Sequence, residues 1–116
     1  MAHRRGSSVA RQMTGDLVVD RDELNQGLSI LRACLKRWRR RRARLTFEDG
    51  VLTIRLGHLT GGASASGQSR GEERITAEDL HWLATTLPDA NPIRVEARST
   101  HILVGGLMVP CQWSAP

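Results

Sequence analysis

A dense run of cationic side chains between Lys36 and Arg44 is the part of this sequence best suited to chemistry. The nine residues read KRWRRRRAR, and seven of them carry a positive charge. Guanidinium groups pair with phosphate and release its condensed counterions, so a cluster of this density favours nucleic acid as the partner. A solvated basic flank or linker is the alternative interpretation, because such runs also serve solubility alone.

The other reactive side chains lack the pattern of a catalytic or metal site. Those that could ligate a metal are scattered without ligand spacing: His3, His58, His81, His101, Cys34 and Cys111. Four acidic residues cluster before the first predicted helix, where capping and the helix dipole explain them: Asp16, Asp20, Asp22 and Glu23. Three glycines lack the GxxxxGK[ST] pattern of a phosphate loop: Gly57, Gly61 and Gly62. We therefore expect no metal, no cofactor and no enzyme.

Composition indicates a small single-domain protein. The chain has 116 residues and a net charge of +5, and acids outnumber bases outside the basic run and the first 13 residues. We expect residues 1–14 to form a disordered basic arm and residues 15–116 to form one domain. Without a CxxC motif or a secretory signal, both cysteines should be reduced core thiols. No apolar run approaches the roughly 20 residues that cross a membrane, so we expect a cytoplasmic location without membrane contact.

The first half of the sequence predicts a strand, a helix and three further strands. Asp20 follows a β-branched segment and is placed to cap a helix over about Arg21–Trp38, whose leucines recur at helical spacing. Asp49-Gly50 then joins two alternating segments as a two-residue hairpin turn. The predicted strands are Asp16–Asp20, Ala43–Glu48, Val51–His58 and a weak edge strand at Leu59–Gly67, followed by a polar connector at Gln68–Glu73.

The second half repeats this order. Thr76 and Asp79 form a capping start after a short strand, and Pro88 stops the helix that follows. Three strand candidates come next: Ile93–Ala97, His101–Val104 and Leu107–Trp113. Pro110 lies within the last of them and cannot donate a ladder hydrogen bond, so we expect an open side or a bulge there. The sequence predicts an α+β fold with a duplicated βαβββ order, in which two helices pack on antiparallel sheets.

This duplicated order, together with the phrases DG, ITAEDL…LP and ILVGG, resembles one domain of the DNA sliding clamps. The similarity is to the bacterial DNA polymerase III beta subunit and, in fold, to the proliferating cell nuclear antigen type. It covers about Gly15 to Ser114. The resemblance implies helices lining the inside of a six-domain ring, and hence a self-associating processivity factor with replication or repair partners. Since this chain has one domain, a closed ring would need six copies or partner subunits.

The resemblance also implies which residues face DNA. The phosphate-contacting role falls on the exposed flank of the first helix: Arg32, Lys36, Arg39 and Arg40. The second helix departs from the family pattern because it exposes no lysine or arginine, and no residue match locates a peptide-binding cleft. Trp82 lies on the polar side of that helix, where it would contact a partner or pack against a neighbouring strand or loop.

The leading hypothesis is a noncatalytic, clamp-like DNA-binding protein that self-associates and contacts phosphates without sequence specificity. The alternative is a protein-interaction or scaffold module that keeps the clamp fold without encircling DNA, which the acidic and aromatic second helix favours. A small factor that modifies a replication clamp by joining its domain edges is a third possibility.

Overall fold

The computed structural model describes residues 14–98 and 100–111, and within them the predicted βαβββ order occurs twice. The elements of the first half are β1 (Thr14–Val19), α1 (Arg21–Arg37), β2 (Arg42–Glu48), β3 (Val51–Leu56) and β4 (Leu59–Arg70). Those of the second half are β5 (Glu72–Thr76), α2 (Ala77–Thr86), β6 (Ile93–Ala97), β7 (His101–Val104) and β8 (Leu107–Pro110). The predicted α+β class is therefore confirmed.

All eight strands belong to one antiparallel sheet in the order β5-β2-β3-β4-β1-β6-β7-β8. The two halves exchange their first strands: β5 pairs with β2 of the first half, and β1 pairs with β6 of the second. Buried side chains from every strand join the apolar stripes of α1 and α2 in a single core. Both helices thus pack against one face of the sheet and leave its other face to solvent.

Local sequence signals fix the starts of both helices and the turn of the first hairpin as predicted. The Asp20 carboxylate accepts a hydrogen bond from the Glu23 amide at 3.0 Å, and the Thr76 hydroxyl accepts one from the Asp79 amide at 3.2 Å. The two turn residues Asp49 and Gly50 both have positive φ, 54° and 77°, as a two-residue hairpin requires.

The prediction for β4 was wrong. We expected a weak edge strand at Leu59–Gly67 and a polar connector, whereas the structure has one strand of 12 residues in the interior of the sheet. Its first half pairs with β3 and its second half with β1. A strand of this length has room to pair with both neighbours, and its glycines also suit the packing: a Cβ at Gly61 would lie 2.6 Å from the carbonyl oxygen of Gly27, so glycine lets the backbones of β4 and α1 approach closely.

The ends of the chain match the predictions in part. β8 lies at the end of the sheet, which agrees with the open side expected from Pro110. The strand ends at Pro110, however, and the predicted extension through Trp113 falls outside the described residues beyond Cys111. The predicted basic arm also lies outside them except for Thr14, which begins β1. Of the helices in the described ranges, none has the length and apolarity to cross a membrane.

Candidate nucleic-acid interface

The basic run divides among three structural environments. Lys36 and Arg37 form the last turn of α1, Arg39 to Arg41 make the connection, and β2 begins at Arg42. The connection is fixed to the second helix, because the carbonyl oxygens of Arg39 and Arg41 accept hydrogen bonds from the amides of Glu78 and Ala77 at 3.0 and 2.7 Å. These amides belong to the first turn of α2, which has no acceptors of its own for them.

The four residues expected to contact phosphate are all exposed, but they differ in their partners. Arg32 and Lys36 are four residues apart on α1 and form no ion pair with any described residue. Arg39 is different, because its guanidinium is ion-paired with Glu78 of α2. The hydrogen bond and the charge of Glu78 raise the pKa of Arg39 above its ordinary value, and the same contact lowers the pKa of Glu78, with a smaller contribution from the charge of Arg40.

A groove between the helices lies beside this ion pair. It has a volume of about 500 Å³ and is lined by Leu35, Lys36, Arg39, Glu78, His81, Trp82 and Thr85. Trp82 is 44% exposed, as its polar neighbours in the sequence predicted, and it forms part of the groove wall. The groove therefore combines a cationic side from α1 with an acidic and aromatic side from α2.

Two arginines of the run, Arg42 and Arg44, lie on the sheet face that the helices do not cover. Arg42 and Arg44 are exposed and alternate with the buried residues Ala43 and Leu45 along β2. In the strand register, Arg44 lies directly opposite Arg55 of β3 on one side and Arg74 of β5 on the other. Together with Arg41 and Gly57, the arginines at 42, 44 and 55 line a second hollow of about 340 Å³, hereafter the outer arginine pocket.

Sequence reasoning missed Arg55, although a signal for it was present. A two-residue turn at Asp49-Gly50 sets the register of the hairpin, and in that register residue 44 lies opposite residue 55. The alternation along both strands then places the two arginines on the same face. The predicted hairpin was thus sufficient to place Arg55 opposite Arg44.

The acidic cluster before α1 has structural partners, in line with its interpretation from the sequence. Besides the cap formed by Asp20, the Glu23 carboxylate accepts a hydrogen bond from the Ser64 amide at 2.7 Å. Asp16 lies 3.2 Å from the Arg98 guanidinium, and Asp22 lies 3.5 Å from that of Arg21. Across the described ranges, no three side chains of the metal-ligating types come together.

Comparison with protein-family models, with curated proteins and with solved structures gave no match. The function is therefore inferred from the geometry of the basic surfaces themselves.

Proposed function

We propose that this chain is a noncatalytic, clamp-like DNA-binding protein that contacts phosphates through the exposed flank of α1. The observation that carries the proposal is the pair Arg32 and Lys36, which project from the same side of α1 without a carboxylate among the described residues to neutralise them. Like charges four residues apart destabilise a helix slightly, and an external anion would offset this repulsion. Arg40 adds a further exposed charge just beyond the helix.

In this proposal the side chains recognise the charge of the DNA backbone and not its base sequence. Arginine and lysine side chains on a helix flank reach phosphates, whereas specificity needs groups that enter a groove and meet base edges. Binding energy should therefore come mainly from counterion release, which makes the affinity strongly dependent on salt. Arg39 contributes less than its position in the sequence indicates, because Glu78 already neutralises it.

The test compares single neutralising variants that each remove one exposed charge. Arg32→Gln and Lys36→Gln lie on the proposed interface, and Arg94→Gln is the matched control, since Arg94 is exposed on β6. Affinity for a short DNA duplex is measured by fluorescence anisotropy over a range of salt concentrations. Each interface variant should weaken binding about 5-fold at roughly 0.15 M salt and reduce the slope of log K against log salt by about 0.9. The control should keep the wild-type slope.

Two results would oppose the proposal. If wild type shows no salt-dependent binding to duplex, the chain is not a DNA-binding protein of this kind. If all three variants reduce the slope equally, binding follows net charge and the α1 flank is not the interface.

Self-association is part of the same proposal. Within the described residues, β5 and β8 each pair with a strand on one side only, so the two ends of the sheet are available to other copies. Assembly through such ends would bring several α1 flanks together and multiply the phosphate contacts. Light scattering at micromolar concentration should give a mass above 12.9 kDa. A purely monomeric mass would refute the proposed ring but would not contradict phosphate binding by the single chain.

A protein-interaction module is the second candidate, and the groove between the helices favours it. Glu78 is ion-paired with Arg39 at the groove wall and adds no net charge that would attract or repel DNA, whereas Trp82 presents a large aromatic surface suited to a partner. In a pull-down treated with nuclease, retained partners that Trp82→Ala releases would support this function. Partners that disappear with nuclease would instead support DNA binding.

A further inference from the structure

We infer that the outer arginine pocket is a second anion site, separate from the α1 flank, that binds a phosphoryl group. Three exposed arginines, Arg42, Arg44 and Arg55, converge there from two neighbouring strands, and Arg41 joins them from the connection before β2. The pocket lies on the sheet face opposite the helices. The clamp resemblance placed phosphate contacts on the helices, so this site is not part of that expectation.

The cross-strand pairing in the pocket is unfavourable without a ligand. Arg44 has an arginine directly opposite it on each side, and like charges in that position destabilise a sheet. Glu72 offsets only part of this charge: its carboxylate lies 3.7 Å from Arg44 and 3.3 Å from Arg74. Arg55 forms no ion pair with the residues that the structure describes. An anion between Arg44 and Arg55 would relieve the repulsion.

One side of the pocket is held in place before any ligand arrives. The Arg41 guanidinium stacks on the Trp38 ring with its central carbon 4.6 Å from the ring centroid. Gly57 has a φ of 61° and lies beside this guanidinium, where a Cβ would be in ordinary contact with both terminal nitrogens of Arg41 at 3.7 Å. A stacked guanidinium keeps its N–H groups free at its edge, where they can form paired hydrogen bonds with an oxyanion.

The chemistry favours phosphate over a carboxylate ligand. A phosphoryl group carries more charge and offers three oxygens, so it can accept hydrogen bonds from several guanidinium groups at once. The volume of about 340 Å³ leaves room for the phosphoryl group and the atoms attached to it. Two sources share this chemistry: a free phosphorylated molecule and the backbone of a nucleic acid.

The test measures thermal unfolding with inorganic phosphate or pyrophosphate against chloride at the same ionic strength. Phosphate also stabilises proteins without binding to a site, so Arg55→Gln is compared with the exposed control Arg94→Gln, which shares that general effect. Pyrophosphate should raise the unfolding temperature of wild type and of the control by several degrees, whereas the unfolding temperature of Arg55→Gln should rise far less. In chloride alone, Arg55→Gln should unfold at the wild-type temperature or above it, because the repulsion with Arg44 is gone.

Equal gains in all three proteins, or no gain in wild type, would overturn the inference. Arg32→Gln should keep the full pyrophosphate effect, so failure of the α1 proposal leaves this result intact. The two sources are separated with a fluorescent oligonucleotide. If Arg55→Gln lowers the salt slope of its binding by about 0.9, the backbone supplies the phosphate, and an unchanged slope identifies a free phosphorylated molecule.

Discussion

Replacing Gly61 with alanine should destabilise the fold, because β4 and α1 meet there backbone to backbone. An added Cβ would lie 2.6 Å from the Gly27 carbonyl oxygen and 3.0 Å from two further backbone atoms of the same residue. Reaching ordinary contact at 3.4 Å requires the two elements to separate by about 0.8 Å. Neither side of this contact is a flexible side chain, so the strain has to spread through the core.

The free energy of unfolding should fall by roughly 1–3 kcal/mol. Overpacking by one methyl group typically costs about 1–3 kcal/mol, and a gap of this size also weakens dispersion contacts nearby. Leu24, Leu28 and Leu31 of α1 are buried in the core that would loosen. Alanine also restricts the unfolded chain, which stabilises the fold by about 0.4–1 kcal/mol. This gain is too small to make the substitution stabilising.

The adjacent Gly62 supplies a matched control. A Cβ there would point away from α1 and lie 3.4 Å from Cγ1 of Val51, which is ordinary contact. Gly62→Ala should therefore change the free energy of unfolding by no more than about 1 kcal/mol. Urea unfolding followed by circular dichroism measures both variants, and Gly61→Ala should lower the midpoint by roughly 1–2 M at an unchanged slope. Equal stability of the two variants would refute the close approach of β4 and α1.

Two further predictions concern charged and ionisable groups. Glu78→Gln should release Arg39 from its ion pair, so that DNA binding strengthens several-fold. The slope of log K against log salt should steepen by up to about 0.9. Anisotropy titrations identical to those of wild type would show that Arg39 does not reach phosphate. Burial, aided by the charge of Glu73, raises the pKa of Cys111 to about 12 from an ordinary value of 9.0. The unfolded chain therefore loses this proton first, so its contribution to stability is complete below about pH 9 and is lost as the pH rises towards about 12. Cys111→Ala should remove that component of the alkaline decline in urea midpoint, and an identical decline would contradict the assignment.

The sequence alone determined the features that depend on neighbouring residues. Helix starts follow from Asp20 and Thr76, whose side chains bond to amides three residues away. The hairpin register follows from Asp49-Gly50, because this pair readily adopts the positive φ that a two-residue turn requires at both positions. Alternation and helical spacing then identified most of the core, since burial repeats with the period of each element.

Only the tertiary structure decided which distant segments meet. The glycine and serine content of β4 predicted an edge, yet β4 lies in the sheet interior. There its glycines allow close contact with α1, a packing effect that local propensity does not contain. The contact of Arg39 with Glu78 joins residues 39 positions apart and depends on how the two helices pack. The same packing divides one continuous basic run between a helix flank and the opposite sheet face, because the chain turns from α1 into β2 within it.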